Sequence, residues 1–220
     1  MPDKLRLRFS KTGRAVYLSH LDLMRTMQSA FLRAGYRLKY SEGFNPHAQI
    51  SILLPLSVGC ASVCELMDFQ LTEDVDLSAL PERLTKAMPE GIEATAAYPM
   101  ENKSKFLKWL RVTGRFEYDD RDPAVMAEAL HDFYERESIV ITRKTKRGMG
   151  EMDIRPAIRE LTVTPEADCV RVEAVISAQE PTLNPEHLVT ALRQLDEAVA
   201  PDFAAFRREE TYFEDGGVFR

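Results

Sequence analysis

Residues 17–59 concentrate side chains that can handle a proton or a phosphate: Tyr17, Ser19, His20, Asp22 and Arg25, then Tyr40-Ser41-Glu42-Gly43-Phe44-Asn45-Pro46-His47, then Pro55-Leu56-Ser57-Val58-Gly59. Two of the four histidines fall here. Histidine titrates near neutrality, so two imidazoles that converge across a phosphate can divide acid and base work. His20 and His47, assisted by Tyr17 and Arg25, are therefore the candidate catalytic residues of a metal-independent RNA-processing or phosphoryl-transfer enzyme. The same segment also reads as a binding surface without catalysis. Arg14, Arg25 and Lys39 would meet phosphates, Gly43 permits close backbone approach beside Ser41 and Asn45, and Phe44 offers a stacking face. Each residue has a plainer use as well: Arg25 could pair with Asp22, His47 could bond a loop carbonyl, and Phe44 could plug a gap between loop and sheet. A hydrolytic metal site from His20, Asp22 and His47 competes with the use of Asp22 as a helix cap, and no metal ligand set is assigned.

These residues must be positioned by regular elements. Ser19 can cap a helix over about 20–34, with Asp22 three residues on, Leu21, Met24, Met27 and Phe31 marking its turns, and Gly35 ending it. A strand of alternating Leu and Arg precedes it at 4–9, extended by 15–18, and a short strand follows at 37–40. Strands at 50–54 and 64–71, a helix at 78–88 with Pro81 in its first turn, and a strand at 92–98 complete the order strand–helix–strand–strand–helix–strand. That order is the ferredoxin-like split βαβ unit.

The second half repeats it, with a strand at 109–118, a helix at 123–136, strands at 138–142, 158–164 and 170–178, a helix at 184–198 and a strand at 203–213. Pro81-Glu82-Arg83-Leu84 precedes Pro185-Glu186-His187-Leu188 by 104 residues. The expected fold is α+β: two tandem ferredoxin-like units at 1–100 and 105–215, with antiparallel sheets carrying helices on one face, and a flexible C-terminus at 216–220. The other sheet face is then solvated, packed against its twin, or used for binding.

Composition narrows the function classes. With 220 residues, 45% of them hydrophobic and 29% charged, the chain can bury a substantial core, which excludes a disordered tail or a collagen-like repeat. No run approaches the roughly 18 apolar residues of a membrane helix, and the N-terminus lacks a secretory apolar core, so a cytoplasmic protein is expected. Cys60, Cys64 and Cys169 make no disulfide framework and no zinc or iron–sulfur spacing, and no cofactor is assigned. Charge is uneven: residues 1–50 carry nine Lys/Arg against three Asp/Glu, inside a chain of net charge −6. A basic N-terminal face can attract phosphate locally, and Arg143-Lys144-Thr145-Lys146-Arg147 adds a second basic run.

The stretch Tyr17-Leu18-Ser19-His20-Leu21-Asp22-Leu23-Met24-Arg25, with Ser41-Glu42-Gly43-Phe44-Asn45-Pro46-His47, Pro55-Leu56-Ser57-Val58-Gly59, Glu65-Leu66-Met67-Asp68 and Asp153-Ile154-Arg155-Pro156, resembles the radical-SAM-linked protein family, a bacterial domain of unknown function. The resemblance spans both halves and adds Asp153 and Arg155 to the substrate-binding candidates. It implies a domain found alone or fused behind a radical-SAM protein with a cobalamin-binding-like region. This chain lacks the Cys-x3-Cys-x2-Cys triplet of the radical enzyme itself. The function expected is an accessory binding module for a radical-SAM protein on a separate chain, presenting RNA or an RNA–protein substrate. An RNA-processing enzyme and a purely protein-binding partner are the alternatives. Tandem ferredoxin-like units also serve as CRISPR RNA-processing endonucleases, an analogy of architecture alone.

Overall fold

The computed structural model describes residues 4–145 and 148–220. The protein is α+β, with four α-helices among the described residues, and it divides into two compact units: the first runs to Ser104 and includes Arg220, the second covers Lys105–Phe219.

In the first unit, β1 (Leu5–Lys11) pairs antiparallel with β4 (Ile92–Pro99) on one side and β3 (Ala61–Phe69) on the other, and β2 (Ile50–Ile52) pairs antiparallel with β3. Strand alternation turns Leu7 and Phe9 to one face, where Met67 and Phe69 join them. Onto that face pack α1 (His20–Arg33), through Leu23, Met27 and Phe31, and α2 (Leu80–Ala87), through Leu80 and Leu84. Each of these side chains is essentially buried, a gain of about 1.5–3 kcal/mol apiece over exposure. Ser19 caps α1 as its sequence suggests, its Oγ accepting the Asp22 N–H at 3.2 Å. Gly35 ends the helix with φ +82: its N–H donates to Leu32 O, and the Tyr36 N–H donates to Phe31 O. The Phe31 and Tyr36 rings close that turn edge to face at 6.4 Å.

Two local expectations fail here. Residues 15–18 are not a strand; Gly13–Tyr17 form a 3-10 turn, and the buried Lys11 ammonium donates to Val16 O at 3.1 Å and Leu18 O at 3.0 Å. An ammonium with carbonyls to satisfy holds this turn in place of a ladder. Residues 37–40 contribute only single bridges, Leu38 to Leu71 and Tyr40 to Ala48.

In the second unit, β5 (Trp109–Glu117) lies between β10 (Phe203–Tyr212) and β9 (Val170–Ser177), with β8 (Ile158–Pro165) beyond β9, all antiparallel. α3 (Pro123–Tyr134) and α4 (Glu186–Leu195) supply the buried Leu130, Phe133, Tyr134, Leu188 and Leu192. The Tyr134 hydroxyl donates to Leu188 O at 3.2 Å, and burial pushes its phenol well above the ordinary range. The strand expected at 138–142 does not join this sheet. β6 (Val140–Thr145) instead forms a hairpin with β7 (Gly148–Asp153), and the Gln194 amide of α4 bonds both backbone groups of Thr142 at 2.8 Å. Lys146 and Arg147, half of the second basic run, lie outside the described residues.

The tail expected to be flexible is folded back. The Phe219 N–H donates to Thr211 O at 2.8 Å, and its buried ring sits 5.0 Å from that of Phe213. Among the described residues no helix is long and apolar enough to cross a membrane.

Candidate nucleic-acid interface

The Ser41–His47 loop is closed at its base by the Tyr40–Ala48 bridge. The Ser41 N–H donates to His47 O at 2.9 Å, the His47 N–H donates to Ser41 Oγ at 3.1 Å, and the same Oγ lies 2.9 Å from His47 Nδ1. Gly43 takes φ +129 with open space where a Cβ would stand, and Glu42, Asn45 and Pro46 are exposed. Phe44 is fully exposed, so it plugs nothing.

At the start of α1, the Ser19 hydroxyl donates to Asp22 Oδ2 at 2.6 Å, and Arg25 Nη1 lies 3.4 Å from Asp22 Oδ1. Asp22 is thus a capping and pairing residue. His20, Tyr17 and Arg14 are exposed and have no side-chain partner among the described residues, and Lys39 is half-buried. Of His20, Arg25, Ser41 and His47, only Ser41 and His47 hydrogen-bond each other. Among the described residues no three His, Cys, Asp or Glu side chains gather in a way that could hold a metal ion.

In the second unit, Asp153 and Arg155 shape a turn. Asp153 accepts from Ile139 N–H at 2.9 Å, Arg155 N–H at 3.0 Å and the Ser138 hydroxyl at 2.8 Å, while Arg155 Nη1 donates to Ile158 O at 3.2 Å. Partial burial pushes the Asp153 carboxyl up, but these hydrogen bonds and the Arg155 charge outweigh it and hold it below the ordinary aspartate value.

Two of the nine cations expected on a basic N-terminal face are inside the protein. Arg6 is fully buried, with Nε 2.6 Å and Nη2 3.1 Å from the two Asp68 oxygens, and Lys11 is spent on the 3-10 turn. The sheet face that Arg6 shares with Leu66 is therefore closed, and the Asn102 carbonyl accepts from Arg6 across it at 2.8 Å. Of the uses expected for the sheet face opposite the helices, solvation is therefore not the one found here. On the open face of the second unit three arginines are matched to carboxylates, Arg115 to Glu117 and Asp168, Arg171 to Glu173, and Arg207 to Glu209, while Arg111 and Arg159 lie over the rings of Tyr212 and Trp109.

Positive charge collects instead on the helix side of the first unit. Arg25 and Arg33 of α1, with Arg83 and Lys86 of α2, line an open groove of about 730 Å³ floored by Thr26, Ser29 and the end of α2. Arg33 donates through Nε (3.1 Å) and Nη2 (2.5 Å) to Ala87 O, and Arg83 Nη2 donates to Ala34 O at 2.8 Å. Each arginine so satisfies a terminal carbonyl of the other helix, the favourable end of the dipole for a cation. A carbonyl is neutral, so both guanidinium charges stay uncancelled. Lys86 and Arg25 keep exposed carboxylate partners one turn away, Glu82 and Asp22; hydrogen bonding from Lys86, then its charge, hold the Glu82 carboxyl below its ordinary value.

Sequence reasoning reached Arg25 and missed Arg33, Arg83 and Lys86. The available signal was the eight-residue spacing of Arg25 and Arg33, which shares a helix face, and the three-residue spacing of Arg83 and Lys86.

Residues 4–185 match the family described as an uncharacterized protein conserved in bacteria, DUF2344, a span that includes the groove, the loop and most of the second unit. The chain belongs to this family. No curated protein matches this DUF2344 chain. Among solved structures it is similar to an unknown protein from Galdieria sulphuraria, at 11% identity over 94% of this chain and 99% of that one, with a TM-score of 0.27. A CRISPR-associated protein from Thermus thermophilus matches at 17% identity, 92% and 98% coverage and a TM-score of 0.20. The CRISPR endoribonuclease Cse3 bound to a 19 nt RNA matches at 15% identity, 93% and 99% coverage and a TM-score of 0.20. Scores this low carry no argument about fold or function.

Proposed function

We propose that this DUF2344 protein is an accessory module that holds RNA on its first unit for a cytoplasmic radical-SAM enzyme carried on a separate chain. The observation behind the RNA reading is the groove between α1 and α2, lined by four cations, two of which donate to neutral carbonyls. Such a groove draws a phosphate backbone by releasing its counterions. The radical-SAM partner rests on the sequence resemblance of residues 17–25, 41–47 and 153–156. Both units are read as ferredoxin-like, from the strand–helix order and the neighbours of β1 and β5, with the RNA on the helix side of the first. The chain is read as a holder because His20 and His47 do not share a hydrogen-bonded partner.

The test is RNA affinity against salt concentration. Affinity falls steeply from low to moderate salt in the wild type. Arg25→Ala and Lys86→Ala, exposed positions whose loss leaves melting unchanged, each reduce the slope by about one phosphate contact. Arg115→Ala in the second unit leaves it unaltered. Binding that ignores salt, or no binding at low salt, overturns the reading.

A further inference from the structure

The basic groove has a neighbour on the other flank of α1. Gln28, Leu32, Tyr36, Leu38 and Tyr40, with the exposed Arg37 at its edge, line a second and mainly apolar groove of about 450 Å³, and Ser29 lines both. Leu32 is 76% and Tyr40 51% exposed, a large apolar outlay for a surface beside four cations. The two grooves are joined by a direct contact: the Arg83 guanidinium, from the basic side, sits 4.7 Å over the ring of Tyr36, from the apolar side. The ridge between them at Ser29 is a small, exposed side chain.

We infer that single-stranded RNA crosses α1 at Ser29, with a phosphate among Arg25, Arg33, Arg83 and Lys86 and a neighbouring base against Tyr40 and Leu32. The inference rests on the RNA reading above and names the form of RNA. A duplex offers phosphates but keeps its base faces inside the stack, so it can satisfy the first groove only. An unpaired strand offers both a charge and a π-face, which is the combination that single-strand binders use. The charge of the basic groove also selects the occupant of the apolar one, because a strand fixed by its phosphate delivers a base within reach on either side.

The experiment compares RNAs of equal length, one unpaired and one fully paired, on the full chain. The unpaired strand binds at least about tenfold more tightly. Tyr40→Ala loses about five- to a hundredfold of its affinity for the unpaired strand, leaves duplex affinity and melting temperature as in the wild type, and does not change the salt slope because no charge is removed. Tyr40→Phe retains the affinity. Equal affinity for both RNAs, or a Tyr40→Ala variant that binds the unpaired strand as tightly as the wild type, overturns the crossing while Arg25→Ala and Lys86→Ala still report on the RNA reading. Failure to bind either RNA overturns both.

Discussion

Each unit is an antiparallel sheet with two helices, the second adding the β6–β7 hairpin, and the two differ in the partners that most of their arginines meet. Residues 1–104 contain twelve Lys/Arg and twelve Asp/Glu, yet the first unit puts Arg6 and Lys11 inside and aims Arg33 and Arg83 at carbonyls across a groove. Residues 105–219 contain sixteen against twenty-three, and there Arg115, Arg121, Arg136, Arg171 and Arg207 each meet a carboxylate, while Arg155 and Arg159 donate to carbonyls. A neutral unit can thus present the stronger local field. What matters to a polyanion is the partner each cation already has: a carboxylate cancels the charge, whereas a carbonyl only orients it.

The largest test of this contrast is stability. Arg6→Ala strands the Asp68 carboxylate, whose side chain is 20% exposed, beside the space the guanidinium filled, and the cost is about 3–5 kcal/mol in urea unfolding. Arg115→Ala removes contacts to two carboxylates, whose hydrogen bonds hold its guanidinium still more firmly protonated, but the side chain is 46% exposed and solvent screens the pair. Its unfolding midpoint stays at the wild-type value. Similar losses for both variants would erase the distinction between the buried and the solvated arginine.

A second test concerns how each unit leaves its second helix. After α2 the chain turns at Gly91, φ +88, where a Cβ would fall 2.3 Å from the Thr12 carbonyl oxygen, and the Thr12 N–H donates to Gly91 O at 2.7 Å. Gly91→Ala therefore meets left-handed strain of about 1–2 kcal/mol plus a backbone clash, a total above about 2 kcal/mol. After α4 the chain leaves through a 3-10 turn at Glu197–Val199 with the buried Ala200 at φ −67, and Ala200→Gly costs about 0.4–1 kcal/mol through the unfolded chain and about 0.8 kcal/mol for the lost methyl, with no strain and no clash. Denaturant midpoints of the two variants check the order.

These two sites also show what could be read in the sequence. Gly35 was legible as a helix stop, and the apolar periods of α1 and α2 were legible because burial repeats with the helix. The approach of Gly91 to Thr12 was not, since it joins residues far apart in the chain. Arg6 and Lys11 look like surface cations in any strand that alternates Leu with Arg or Lys; only the cross-strand partner, Asp68, distinguishes the first, and register is a tertiary fact. β7 hid because Gly148-Met149-Gly150-Glu151 has neither apolar alternation nor strand preference. The basic groove hid because Arg83 and Lys86 lie in a stretch that is acidic on average, and windowed charge cannot see across two helices.

A smaller effect separates the units by pH. Burial first, then the Arg143 charge, depress the His187 imidazole below the ordinary histidine value, and its buried Nδ1 has no hydrogen-bond partner among the described residues. A depressed value means the unfolded chain binds the proton first, so the stability is complete above about pH 6.5 and declines as pH falls through the folded value. One proton limits the slope to about 1.4 kcal/mol per pH unit. Trp109, the single tryptophan, lies in the second unit, so its fluorescence reports that unit alone. The midpoint it reports drops between pH 7 and pH 5, and His187→Gln flattens that drop; an unchanged drop in the variant rejects this source.

The smallest effects expected are those of His20 and His47, and they decide whether the first unit holds RNA or cuts it. His20→Ala removes an exposed ring with no partner, so stability is unchanged. His47→Ala removes the ring at 2.9 Å from Ser41 Oγ but keeps the bonds that the His47 carbonyl and N–H make to the Ser41 N–H and Oγ, so it costs no more than about 1 kcal/mol. A general acid and base would instead reveal themselves in turnover, by about 10²–10⁴-fold for each substitution with ligand affinity nearly unchanged. Incubating wild type and both variants with cellular RNA and sizing the fragments gives the answer. Intact RNA in all three fits a groove that binds by charge and stacking, whereas cleavage abolished by both substitutions would make the first unit an enzyme and leave the carboxylate-matched second unit as its scaffold.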